Sequence, residues 1–310
     1  MTASATRGRT GPGDLLALNC AVLLFGTAGP LGKAVSVSPV SIVFYRAVIA
    51  AGALWLWVIA TRLRGGSARQ APDTARPLGD FVKRRVDVVG LFGSGLLLAV
   101  HWTAFFESVQ TSGVAIGLLS FATFPVFMTV LEPVFLRVPF RGIDLVRAVV
   151  VAGGLALVVP EYDLKASVVQ GTLLGVFSAL TFAILAFLNR RFTNRCSPAL
   201  IAASQNTVAA VGLCPIVLAS TQAVARSDVV MLGVLGVLST ATAHALYIRG
   251  LRSVRPSVVG VLTALEPVYG ILLAALFMGE FPKGRCLLGG TIILAAAISA
   301  ASSQRSLDHG

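Results

Sequence analysis

Charge is scarce in this 310-residue chain. Asp, Glu, Lys and Arg together make up 12% of it, against about 25% in a soluble globular domain. That scarcity excludes a water-facing surface over most of the molecule. None of the eight aspartates lies deep within an apolar run, which argues against an aspartyl protease acting inside a membrane. Only three histidines are present and no HExxH pattern occurs, so nothing suggests a zinc hydrolase. The four cysteines, Cys20, Cys196, Cys214 and Cys286, are dispersed, with neither metal spacing nor a disulfide framework. Gly32–Lys33 is not a P-loop, because Thr27 stands where the first glycine is required and Ala34 follows the lysine. These absences lead us to expect no catalytic residues, no metal, no cofactor and no enzyme.

What remains is apolar. Hydrophobic residues make up 56% of the chain. Runs near the ~20 residues that cross a bilayer as a helix recur along it. Ten spans are expected, at 14–33, 39–61, 88–108, 113–136, 143–160, 170–189, 198–219, 229–249, 256–278 and 285–302. Residues 1–13 form a short polar tail, and no small-residue cleavage site follows the first span closely, so an uncleaved first helix is expected. The 62–87 loop is rich in Arg, Gly and Pro, too short and polar to be a domain.

The net charge of +12 is explained by topology. With the N-terminus in the cytoplasm, 18 Lys and Arg fall on the cytoplasmic side and five on the outer side. This follows the positive-inside rule, with both termini cytoplasmic. A nucleic-acid partner is therefore not expected; the lipid bilayer is. Arg outnumbers Lys 21 to four, a bias of GC-rich coding that suggests a bacterium, hence its inner membrane.

A shift of 142 residues pairs Phe105 with Tyr247, Pro125–Val126 with Pro267–Val268, Phe135 with Phe277 and Gly142 with Gly284. Ser38–Pro39 matches Ser197–Pro198 at another offset. Each half then holds five spans, and an odd number makes the second copy enter the membrane in the opposite sense. The expected architecture is an all-α membrane protein of ten transmembrane helices in two inverted five-helix repeats. Its parts are a tail (1–13), a first repeat with the 62–87 loop (14–160), a second repeat (161–303) and a second tail (304–310).

Glu266 is the most informative single residue. It lies mid-way along an apolar span, where a carboxylate costs at least ~2.5 kcal/mol on insertion scales. Val259, Thr263, Glu266 and Gly270 share a face at three- and four-residue spacing. Pro267 cannot donate its amide hydrogen bond and frees the Thr263 carbonyl. Such backbone survives at membrane depth only inside protein or beside a wet cavity. A plainer reading makes Glu266 the brace of that kink. In the third span His101, Trp102 and Phe105 cluster, as cavity lining or as packing and interfacial anchor. The eighth span places Thr240, His244 and Tyr247 on one face. Asn19, Phe124, Pro125 and Tyr269 complete the candidate substrate and coupling residues. Histidine titrates near neutrality, so His101 and His244, with Glu266, make protons a candidate second partner. Arg46, seven residues into the second span, reads as snorkelling to the surface or as a structural pair. Gln205 and Asn206 are adjacent, so at least one is interhelical glue. Gly113-x-x-x-Gly117 and Gly171-x-x-x-Gly175 permit close helix approach.

The ordered motifs FGTAGPLGK, SPVSIVFYRA, HWTAFFESVQTSGVAIGLLSFATFPVF and LEPVYGILLAALFMGE resemble the drug/metabolite transporter (DMT) superfamily in its EamA-type branch, over about residues 14–303. The resemblance implies a ten-helix inverted-repeat exporter with a central cavity lined by helices 1, 3, 4, 6, 8 and 9. The expected function is a secondary transporter of a small metabolite or amino acid, working by alternating access. Rival readings are a sugar-nucleotide or phosphate-ester exchanger of the same superfamily, and a non-transport membrane scaffold. A polyanion would need several basic groups in the cavity, and the sequence places none clearly at its centre.

Overall fold

The structure is a computed structural model that describes residues 12–63, 85–136, 166–220, 222–254 and 256–307, with isolated helical positions between 142 and 157. Every regular element among the described residues is helical. The chain begins with α1 (Pro12–Gly26) and α2 (Ala28–Ala34), one span broken at Thr27, then α3 (Pro39–Leu63). The third and fourth spans are α4 (Arg85–Ser112), α5 (Val114–Phe121) and α6 (Phe124–Leu136). The second half holds α7 (Ala166–Phe192), α8 (Pro198–Ala219) and α9 (Arg226–Gly236). A π-helical turn, Val237–Thr242, joins α9 to α10 (Ala243–Ser253). Then come α11 (Pro256–Thr263), α12 (Glu266–Met278) and α13 (Gly284–Leu307).

Among the described residues, seven helical stretches are long and apolar enough to cross a membrane, and Glu266–Met278 and Leu287–Ala296 are shorter apolar helices. The chain is thus an all-helical, multi-pass membrane protein. The count of ten spans is not met among the described residues, because the expected fifth span, 143–160, lies outside them but for isolated positions. Most of the 62–87 loop and of the N-terminal tail also lie outside. The tail expected from 304 is still helical to Leu307.

Local sequence explains where helices start and stop. Ser38 and Ser197 open α3 and α8 alike: each hydroxyl accepts an amide of the first turn, Ser41 N–H and Leu200 N–H respectively. A proline follows each serine at N1, where its missing N–H is no loss. Gly279 ends α12 in the left-handed region at φ 66, which glycine adopts without a Cβ clash.

At Pro125 and Pro267 the helix is interrupted by a two-residue turn through which backbone hydrogen bonds continue. Residues 122–123 separate α5 from α6, and 264–265 separate α11 from α12. A shift of 142 residues carries the bounds of α5 onto α11 and those of α6 onto α12. Packing follows the same correspondence. α7 packs along α4, α5 and α6, as α1 packs along α10, α11 and α12. α8 crosses α4, as α3 crosses α9 and the π turn. At those last two crossings the helices approach closely. A Cβ on Gly95 would lie 2.6 Å from the Val208 Cβ, and one on Gly236 would lie 2.6 Å from the Ile49 Cβ. Large side chains such as Leu16, Leu56, Leu276 and Phe277 point outward and stay exposed, the arrangement a lipid solvent allows.

Candidate functional site

The break in each of three spans turns side chains toward one point. There the structure has a small cavity of about 30 Å³, room for a water molecule or two and no more. Phe25 and Ala28 line it from the first span, Arg46 from α3, and His101, Trp102 and Phe105 from α4. Phe121, Phe182 and Glu266 complete the wall from α5, α7 and α12.

Of the two readings of Arg46, snorkelling and structural pairing, the structure agrees with the second. It neither snorkels nor sits at an interface; its side chain is 1% exposed. Its Nε–H donates to Thr240 Oγ1 at 2.8 Å and its Nη2 to the Ser239 carbonyl at 3.3 Å. Thr240 in turn donates to the Leu235 carbonyl five residues back, the long reach of a π turn. The guanidinium carbon lies 4.2 Å from the Trp102 ring centroid and 5.0 Å from that of Phe106. Guanidinium over an aromatic face is favourable, most so when desolvated. The π turn also holds α1: Thr27 Oγ1 spends its proton on the Leu24 carbonyl, so Ser239 Oγ donates to Thr27 across 2.7 Å. Single π turns inside α-helices often mark functional positions.

Glu266 is buried at 5% exposure and opens α12. A carboxylate in the first turn is favoured by the helix dipole. It is the charge that faces Arg46, yet no ion pair within 4.0 Å joins the two among the described residues. The alternative reading of Glu266 as the brace of its kink finds no side-chain hydrogen bond to support it among the described residues. The neighbouring hydroxyl of Thr263 donates to the Val259 carbonyl.

His101 Nδ1 sits 2.9 Å from both the carbonyl and the hydroxyl of Ser178, and that hydroxyl donates to the His101 carbonyl at 3.1 Å. That pairing assigns the proton to Nδ1. The imidazole stacks on Phe182, centroids 4.7 Å apart. Phe182 is the hub of the apolar wall, also meeting Phe25, Phe121, Phe124 and Tyr247. Tyr247 is fully buried, with its hydroxyl facing the Thr263 side chain. His244 sets its edge against Trp102; its Nδ1 is 3.4 Å from Asn206 Nδ2, and its Nε2 has no partner.

The remaining sequence candidates lie further off. Phe124 is fully buried behind Phe121 and Phe182. Pro125 and Pro267 are buried at the two breaks. Tyr269 is half-buried beside Gly26. Asn19 is half-buried and donates to the Leu15 carbonyl one turn back, away from the cavity. Of the wall residues, Phe25, Phe121 and Phe182 were not singled out by sequence. Among the described residues no three His, Cys, Asp or Glu side chains gather as metal ligands.

The family model for EamA-like transporters matches the chain twice, over residues 11–159 and 169–301. A solved crystal structure, 18% identical, superposes with a TM-score of 0.66 over 96% of this chain and 99% of that one; at that identity it speaks for the fold alone. No curated protein matches the chain. With two matches that together span nearly its whole length, the chain belongs to the EamA-like transporter family, and through it to the DMT superfamily.

Proposed function

We propose that the protein is a secondary transporter of the bacterial inner membrane that exports a small metabolite or amino acid by alternating access. The observation that carries this reading is the small cavity lined by a buried arginine and a buried glutamate in a largely aromatic wall. Charges at that depth are expensive and are retained where they meet a substrate or an ion. The cavity is too small for a metabolite as it stands, so a substrate enters only when the walls part.

The means of parting is an inverted repeat of two five-helix halves. Three observations support it: the coincident bounds of the broken spans, the corresponding helix contacts, and the double match of the family model. The basic asymmetry of the loops supports a cytoplasmic side for both termini. Glu266, with His101 beside it, is proposed to carry a proton in coupling. A polyanionic sugar-nucleotide or phosphate ester fits poorly, because among the described residues Arg46 is the one cationic side chain on the wall.

Vesicles test the reading. Purified protein is reconstituted with labelled phenylalanine, glutamate and spermidine inside, none of which leaks readily through lipid. At least one is expected to leave faster than from protein-free vesicles. Ala28→Trp, which fills the cavity, should stop that efflux, while Leu16→Trp on the lipid-facing side should not. Efflux of nothing, or unchanged efflux through Ala28→Trp, would overturn it.

A further inference from the structure

The donor inventory of Arg46 does not close. A guanidinium carries five N–H donors in one plane. Two are used, on Thr240 and on the Ser239 carbonyl. The other three have no acceptor among the described residues, although the side chain is 1% exposed. Buried donors are normally paired, and a buried, half-paired cation is costly. The rings of Trp102 and Phe106 lie against the group; with Nε and one Nη2 donor engaged, the Nη1–Nη2 edge is the one without an acceptor. Arg46 lines the cavity, and so does Trp102.

An in-plane pair of N–H donors is the shape that a carboxylate meets with its two oxygens. Glu266 does not fill that role, since no ion pair within 4.0 Å joins it to Arg46. It acts instead as a longer-range countercharge across the cavity. Besides Ala28 and His101, the rest of the wall is aromatic: Phe25, Trp102, Phe105, Phe121 and Phe182. We propose that the cavity takes a small organic carboxylate with an apolar or aromatic body, its two oxygens docked on the open edge of the Arg46 guanidinium and its body against the phenylalanine wall.

The proposal rests on the transporter reading and narrows it to a substrate class. A single guanidinium selects one compact anionic group and gives no second site for another. Thr240 becomes a positioning residue, because its hydroxyl fixes the guanidinium from the π turn while donating its own proton to Leu235. The competing explanation makes Arg46 a clamp that only ties α3 to the π turn. A clamp predicts loss of stability on substitution and no preference for acids.

The test uses the full chain in nanodiscs and probes that share one body: 3-phenylpropionate, 3-phenylpropanamide, phenethylamine and L-phenylalanine. Binding is read as the rise in Tm with probe concentration. The two carboxylates should bind about tenfold or more tighter than the amide and the amine, the worth of a charge-assisted pair. Arg46→Gln should abolish the preference for acid over amide, and Arg46→Lys should keep only part of it. Thr240→Val should weaken acid binding less than either. Equal binding of acid and amide, preference for the amine, no shift with any probe, or an acid preference that persists in Arg46→Gln would each overturn the proposal. Should the Arg46 variants fail to fold, the wild-type acid-to-amide ratio decides alone. The transporter reading stands or falls separately, on efflux of the probes from vesicles.

Discussion

At the break before Pro125 the residue that opens the new helix is Phe124; at the break before Pro267 it is Glu266. The backbone is the same in both places and the chemistry is opposite. Phe124 is buried among Phe121 and Phe182, whereas Glu266 brings a carboxylate to the cavity. The second spans of the halves differ likewise. Arg46 lies seven residues after Pro39 and Gln205 seven after Pro198. Arg46 reaches across to the π turn. Gln205 reaches across to Ser94 at 2.8 Å and to Asn189 at 2.7 Å. Where the halves agree they build helices and crossings. Where they disagree, at Glu266 and Arg46, a charge enters the cavity. Agreement between the two matched halves thus goes with shared geometry, and the departures put the charges at the candidate site.

The sharpest way to break that comparison is to remove each partner of the Arg46 and Gln205 pair. Arg46→Met leaves Glu266 without its countercharge and leaves Thr240 without its donor. A loss of about 3–5 kcal/mol is expected for a broken buried charge arrangement, together with loss of vesicle efflux. Gln205→Met removes two neutral hydrogen bonds and should cost about 1–3 kcal/mol with efflux retained. Thermal melts and efflux on the two variants check this; equal loss of efflux in both would erase the distinction.

Glu266 against Phe124 gives the next contrast. Glu266→Gln keeps size and hydrogen bonding but removes the exchangeable proton. Uphill movement driven by a pH gradient should vanish while downhill exchange survives. A wild type indifferent to the gradient would end the coupling idea, and a Glu266→Gln variant that still responds would move it to His101.

The agreeing parts are tested by Gly95→Val and Gly236→Val. Each places a branched side chain against the neighbour met at 2.6 Å, Val208 in one half and Ile49 in the other. Overpacking of this kind costs about 1–3 kcal/mol, and the two melts should fall by similar amounts. A large inequality would argue that the two crossings are not equivalent. Cysteines placed singly at Ser67 and Ser227 should leave stability unchanged and react with an impermeant thiol reagent from opposite sides. Labelling of Ser67→Cys from outside intact cells would reverse the orientation.

Much of the fold could be read from the sequence because lipid imposes a coarse rule: a spanning helix needs a long apolar run, and Pro125 and Pro267 mark where two runs break. Glu266 stood out for the same reason, as a charge where charges are costly. Arg46 was visible, but the sequence left it between snorkelling and a structural pair. Its distance from the span end suits snorkelling, and only the fold brings the π turn and Trp102 against it. The π turn itself has no sequence rule beyond Thr240 and Thr242, whose hydroxyls bond carbonyls five residues back. Phe25, Phe121 and Phe182 escaped notice because one phenylalanine among 17 carries no spacing that separates wall from lipid-facing surface. Asn19 was singled out because a polar side chain in an apolar run looks functional; in the structure its Nδ2 donates to its own backbone one turn back.

The most direct measurement is access to the cavity from both faces of the membrane. In a background with the four native cysteines replaced, Ala28→Cys puts one thiol on the cavity wall. Right-side-out and inside-out vesicles are then exposed to an impermeant thiol reagent. Modification is expected from either face, at different rates, because each opening exposes the same wall in turn. A thiol that reacts from one face only would contradict alternating access, and one that reacts from neither would contradict a transport path between the two halves.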